Sequence, residues 1–152
     1  MYVDETGFDA PLIREYGYAP VGEKVMGERT GLRFARTSLI AGYKAGKAVA
    51  PVAFKGYCNP DVVLTWVKEM LIPCLKPGDV VIWDNALCHK SNVLAHAFED
   101  AEIKLLLLPP YSPDLNLIER FWDWLKDWIR ALNEPLLHIS QALFKVFGNI
   151  HG

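Results

Sequence analysis

Two short, almost unbroken apolar runs constrain this chain more than any other feature: Val80-Val81-Ile82-Trp83, and Ile103 to Leu108 with only Lys104 inside it. Between them Val93, Leu94, Ala97 and Phe98 recur at helical spacing, with Ser91 placed to cap their helix. Two strands joined by a helix pair in parallel through a right-handed crossover. Strands in that setting are covered on both faces, which is how the Ile103 to Leu108 run reads.

The first half adds a different element. Thr37 to Tyr43 and Val49 to Phe54 are rich in β-formers and flank Lys44-Ala45-Gly46-Lys47, a hairpin signal. Tyr2-Val3-Asp4 reads as the end of a strand, with Glu5-Thr6-Gly7 turning away. Asn59-Pro60-Asp61 starts a helix that runs on through Val62, Val63, Trp66, Val67, Met70 and Leu71. Ser112-Pro113-Asp114 is expected to open another helix, and a last one is expected after Pro135, from Leu136 to Phe147. The fold class that follows is α/β: a mixed sheet, antiparallel at its hairpin edge and parallel elsewhere, with helices on both faces. A length of 152 residues, 51% of them hydrophobic, suits one domain spanning 1–152.

Chemistry in such a sheet collects at the carboxyl ends of the parallel strands. Asp4 ends the first expected strand and Asp84 the fourth, so neighbouring strands would set two carboxylates side by side. Glu119 flanks a helical stripe of Leu115, Ile118, Trp122, Leu125 and Ile129 and would reach the same rim. Strand-end aspartates also serve as ordinary turn and cap residues, and flanking glutamates are commonly solvated. Three converging acids with few bases nearby form an oxygen-ligand site for Mg²⁺, or Mn²⁺ in its place. Two ions about 4 Å apart suit in-line attack on a phosphodiester.

Charge distribution supports a phosphate partner for one segment only. From Glu23 to Lys55, seven bases (Lys24, Arg29, Arg33, Arg36, Lys44, Lys47, Lys55) face two acids, 7 − 2 = +5, although the whole chain carries −2. Arg33, Arg36, Lys44 and Lys47 are the candidate contacts to a DNA backbone. Cys58, Cys74 and Cys88 are three in number and form no CxxC pair, as expected of reduced thiols in a cytoplasmic protein. No leader or bilayer-length apolar run is evident, and neither a membrane nor a small-molecule substrate is expected.

Asp84 and Glu119 are separated by 119 − 84 − 1 = 34 residues. With "YVDETGF", "IWDNALCHKS" and "LPPYSPDLNLIERFW" in this order, the chain resembles the DDE transposases of the mariner superfamily, most of all their bacterial insertion-sequence branch. The resemblance covers nearly the whole chain. It implies a ribonuclease H-like catalytic domain with Asp4, Asp84 and Glu119 as the metal-binding triad, acting on element ends and target DNA. The Pro109-Pro110 stop and the Ser112-Pro113 restart would then aim Glu119 at the two aspartates.

Further positions carry lesser expectations. Asn85 would orient Asp84 or contact DNA, and His89 would touch a phosphate or cap the next helix. Tyr111 packs on its turn or meets DNA, and Asn116 belongs with these supporting residues. Cys88 and His89 lack the two further ligands that a zinc site needs. Phe121, Trp124 and Trp128 make a second apolar face, to be covered by the last helix or a homodimer partner. Leu117 replaces a proline usual in the family, and no helix-turn-helix region precedes Asp4. Two other functions compete with a transposase core: a truncated, non-transposing remnant that binds DNA weakly or dimerises, and an enzyme cutting RNA hybrids or junctions.

Overall fold

The structure is a computed structural model and describes residues 1–8, 36–84, 92–110 and 112–131. Five strands form a single mixed sheet in the order β3-β2-β1-β4-β5. β1 (Tyr2–Phe8) pairs antiparallel with β2 (Thr37–Lys44), which pairs with β3 (Lys47–Lys55) across a hairpin. On its other side β1 runs parallel to β4 (Val80–Trp83), and β4 runs parallel to β5 (Lys104–Leu107). The hairpin turns through Ala45 and Gly46, both at positive φ, as its sequence signalled.

Helices cover both faces. α1 (Pro60–Trp66) begins at Asn59, whose Oδ1 accepts from the Val62 N–H at 3.0 Å, and α2 (Asn92–Asp100) fills the crossover between β4 and β5. Val63, Trp66, Leu94 and Phe98 from these helices close one core over Val3, Ile40, Val81 and Trp83. Trp83 lies between the edges of Trp66 and Phe98, at ring-centroid distances of 6.0 and 6.5 Å. α3 (Ile118–Ala131) covers the opposite face, burying Ile118, Trp122, Leu125 and Ile129 over Phe8, Leu39 and Ala41.

Four sequence expectations are corrected. β1 does not end at Asp4: Glu5, Thr6 and Gly7 continue it to Phe8, because β2 supplies antiparallel partners up to Phe8↔Thr37. The helix from Pro60 changes to a wider π turn over Val67–Leu71 and a 3₁₀ turn over Ile72–Cys74, where Pro73 cannot donate to an α-helical ladder. β5 is not covered on both faces, since it is the outer strand of this sheet and Leu106 and Leu107 are 42% and 41% exposed. Ser112 opens only a 3₁₀ turn, Pro113–Leu115, with no side-chain cap; α3 proper starts at Ile118 and leaves Leu115 exposed. The helix expected after Pro135 lies outside the described residues. No described helix is long and apolar enough to cross a membrane.

A bulge shapes the hairpin. The β2–β3 register shifts between Ile40 and Gly42, and Ala50 sits at φ 49°, a left-handed conformation unusual for alanine. The Ala50 carbonyl released there accepts from Trp66 Nε1 at 2.7 Å, which ties α1 to the hairpin.

Candidate active site

The parallel pairing of β1 with β4 runs through Tyr2↔Ile82 and Val3↔Trp83. One step further along each chain stand Asp4 and Asp84, at the carboxyl end of β4, on neighbouring backbones spaced about 4.8 Å apart. Side chains alternate across a strand, so Asp4 shares its face with Tyr2 and Phe8, the face that α3 covers. Thr6, two residues beyond Asp4, is buried on that same face.

Asp4 is 7% exposed, deep for a carboxylate. Burial, then the charge of Glu119, then that of Glu5 and lastly that of Asp84 push its carboxyl up to about 8; only a hydrogen bond from the Glu5 backbone N–H opposes them. Its described side-chain partner is Trp122, whose Nε1 donates to Asp4 Oδ2 at 3.2 Å. Glu119 lies in the first turn of α3, half-buried, where the helix dipole favours a negative charge.

The approach to α3 follows from local sequence. The Leu108 N–H still donates to Trp83 O at 2.7 Å, and Pro109-Pro110 then end the β5 ladder, since proline has no N–H to give. After the 3₁₀ turn, Asn116 takes extended dihedrals and its carbonyl accepts from the Glu119 N–H at 3.1 Å. Its buried side chain donates through Nδ2 to Val3 O at 3.5 Å, a long bond, while Oδ1 has no partner among the described residues.

The charges of Glu119 and Asp84 thus both bear on the Asp4 carboxyl, that of Glu119 the more strongly. Among the described residues, no group of three His, Cys, Asp or Glu side chains is arranged to hold a metal ion. The donors nonetheless suit one in kind. They are carboxylate oxygens, and the buried Asp4 is acid-surrounded, which is the chemistry of a hard divalent cation.

Asn85, His89, Tyr111 and Arg33 lie outside the described residues. Arg36 precedes β2, with its guanidinium 4.8 Å from the centre of the exposed Tyr57 ring. Lys44 and Lys47 stand at the hairpin turn, at the amino ends of β1 and β4 and so at the far end from Asp84. There Lys44 Nζ bridges both Asp79 carboxylate oxygens at 3.3 and 3.4 Å. Trp122 is the residue that sequence reasoning missed, having been assigned only to the apolar stripe. A buried indole N–H nearly always finds an acceptor, and an acid facing the same core was the signal.

Residues 1–140 match the family described as DDE superfamily endonuclease. The chain belongs to that family. No curated protein matches it. Among solved structures, the DDE chain is similar in fold to the Mos1 strand transfer complex: TM-score 0.69 at 18% identity, over 97% of this chain and 45% of the other. The Mos1 transposase paired-end complex with left transposon end gives 0.57 at 17%, over 86% and 47%. The simian T-cell lymphotropic virus intasome in complex with a PP2A regulatory subunit gives 0.54 at 18%, over 94% and 46%. The chain thus spans just under half the length of the solved relatives it matches. These likenesses establish a ribonuclease H-like fold for the DDE domain.

Proposed function

We propose that this DDE domain is the catalytic core of a transposase of the mariner superfamily's bacterial insertion-sequence branch. It cleaves element ends and joins them to target DNA, with Asp4, Asp84 and Glu119 as its catalytic residues. The observation that carries the reading is Asp4 next to the parallel pairing of β1 with β4, its carboxyl raised first by burial and then by the charges of Glu119, Glu5 and Asp84. So concentrated a negative charge weakens the fold unless a cation offsets it. Family membership and the fold shared with a strand transfer complex support the same chemistry.

The three carboxylates would hold Mg²⁺ or Mn²⁺, two ions by expectation, which supply charge stabilisation at a scissile phosphate and activate an attacking hydroxyl. The chain itself supplies orientation. β1 and β4 fix the two aspartates on adjacent backbones, and the start of α3 brings Glu119 to them from the covered face. Lys47, exposed at the hairpin turn, and Arg36 contribute contacts to phosphates and read no bases. DNA binding by this chain is accordingly weak, nonspecific and steeply salt-dependent. The presence of all three acids tells against lost chemistry, and co-assembly with the full-length element protein is what a remnant acting through dimers must show.

Nicking of supercoiled plasmid in Mg²⁺ or Mn²⁺ tests the proposal. Wild-type chain should nick, and Asp84→Ala and Glu119→Ala should each lose at least a hundredfold in rate. Equal nicking by wild type and either variant would defeat the assignment. Stronger cleavage of an RNA–DNA hybrid than of duplex DNA would favour a ribonuclease instead.

A further inference from the structure

We propose that Asn116 and Trp122 are positioning residues that fix α3 against β1 and so set where Glu119 stands relative to Asp4. The inference rests on the reading of Asp4, Asp84 and Glu119 as ligands of a shared cation site. Asn116 lies three residues before Glu119 and Trp122 three after it, so the two bracket that glutamate within about a helical turn each way. They reach consecutive residues of one strand: Trp122 Nε1 donates to Asp4 Oδ2 at 3.2 Å, and Asn116 Nδ2 makes the longer and weaker bond, 3.5 Å, to the Val3 carbonyl. Both side chains are buried, at 3% and 1% exposure.

Packing alone does not call for these groups. Apart from the buried Thr6, the contact is largely apolar, with Ile118, Leu125 and Ile129 lying with Phe8, Leu39 and Ala41. Apolar contact is non-directional and tolerates small axial slips of a helix. A hydrogen bond weakens over a few tenths of an ångström and so specifies one axial position and one rotation. Asn116 closes the 3₁₀ turn with an extended backbone two residues before α3, and its carbonyl accepts from the Glu119 N–H, a place from which a short amide side chain can turn back to the neighbouring backbone. Here it reaches across to β1 instead. Trp122 meanwhile holds the plane of the Asp4 carboxylate through one oxygen.

Supporting groups of this kind change metal affinity by about ten- to a hundredfold when they are removed. The discriminating variant replaces Trp122 with β-(3-benzothienyl)alanine by site-specific incorporation, which puts sulfur in place of the N–H and keeps the shape of the ring system. Mn²⁺ binding to the DNA-free protein, followed by electron paramagnetic resonance, is expected to weaken at least tenfold while the thermal midpoint stays within a few degrees. Nicking should recover at saturating Mn²⁺ with an unchanged half-saturating DNA concentration. Asn116→Leu should weaken Mn²⁺ binding in the same direction, and it decides the matter if the tryptophan variant fails to fold. Wild-type Mn²⁺ affinity in the folded variants, with binding abolished in Asp84→Ala, would overturn the positioning role and leave the three-acid site intact. Undiminished binding in Asp84→Ala would overturn both.

Discussion

Replacing Asp4 by asparagine removes a buried charge while keeping an oxygen that can accept from Trp122 Nε1. The Asp4 carboxyl is raised from 3.8 to about 8 in the folded chain, first by burial and then by Glu119. Between those two values the folded protein holds a proton that the unfolded chain has released. Stability from this residue is therefore complete below about pH 4 and is lost progressively as pH rises towards 8. The limiting slope is roughly 1.4 kcal/mol per pH unit, or about 3 kcal/mol between pH 5 and 7. For a chain of this size that corresponds to roughly 6–12 °C in Tm. Urea melts from pH 5 to 8 in chelator-containing buffer should show wild type losing this much relative to Asp4→Asn, the difference removing titrations common to both. Added Mg²⁺ or Mn²⁺ should restore most of the wild-type loss at pH 8 and do little for the variant. Parallel pH profiles for the two proteins would refute the claim that Asp4 is buried among uncompensated acids.

Other predictions concern the frame and the partner. Asn59→Ala should cost about 1 kcal/mol by removing the cap on α1, read from denaturant melts. Ala50→Gly relieves a left-handed alanine worth about 1–2 kcal/mol, less the roughly 0.4–1 kcal/mol of freedom that glycine adds to the unfolded chain. A small net gain in thermal midpoint is expected, and a clear loss would contradict the assigned bulge. Gly7→Ala places a methyl against the Arg36 guanidinium, so the stack on Tyr57 should be lost at about 0.5–1 kcal/mol, visible in the thermal midpoint. Lys47→Ala should weaken binding to any DNA sequence alike and reduce the salt dependence of affinity by about one unit of slope, measured by fluorescence anisotropy.

The parts of this fold legible in the sequence were those set by local rules. The Lys44-Ala45-Gly46-Lys47 turn, the Asn59-Pro60-Asp61 start and the VVIW strand each follow from backbone chemistry within a few residues, and each stands where it was expected. What went astray depended on partners distant in sequence. Whether β1 stops at Asp4 depends on β2, not on Glu5-Thr6-Gly7, and the exposure of Leu106 and Leu107 depends on β5 lying outermost. Ser112-Pro113-Asp114 carries every local mark of a helix start, yet the extended backbone at Asn116 delays α3 by one turn and places Glu119 nearer its amino end. Of the three acids, Asp84 directly follows β4 and Glu119 lies in the first turn of α3, near where local rules put them, whereas Asp4 lies inside β1 and not at its end. The indole holding Asp4 was not legible, because an apolar stripe records that Trp122 faces inward and not what its N–H meets.

The most direct test is a crystal of the chain soaked in Mn²⁺ and examined by anomalous scattering. One or two peaks bounded by carboxylate oxygens of Asp4, Asp84 and Glu119, at distances of about 2.0–2.6 Å, are expected. Manganese bound elsewhere, with these three carboxylates making no contact to it, would contradict the shared cation site.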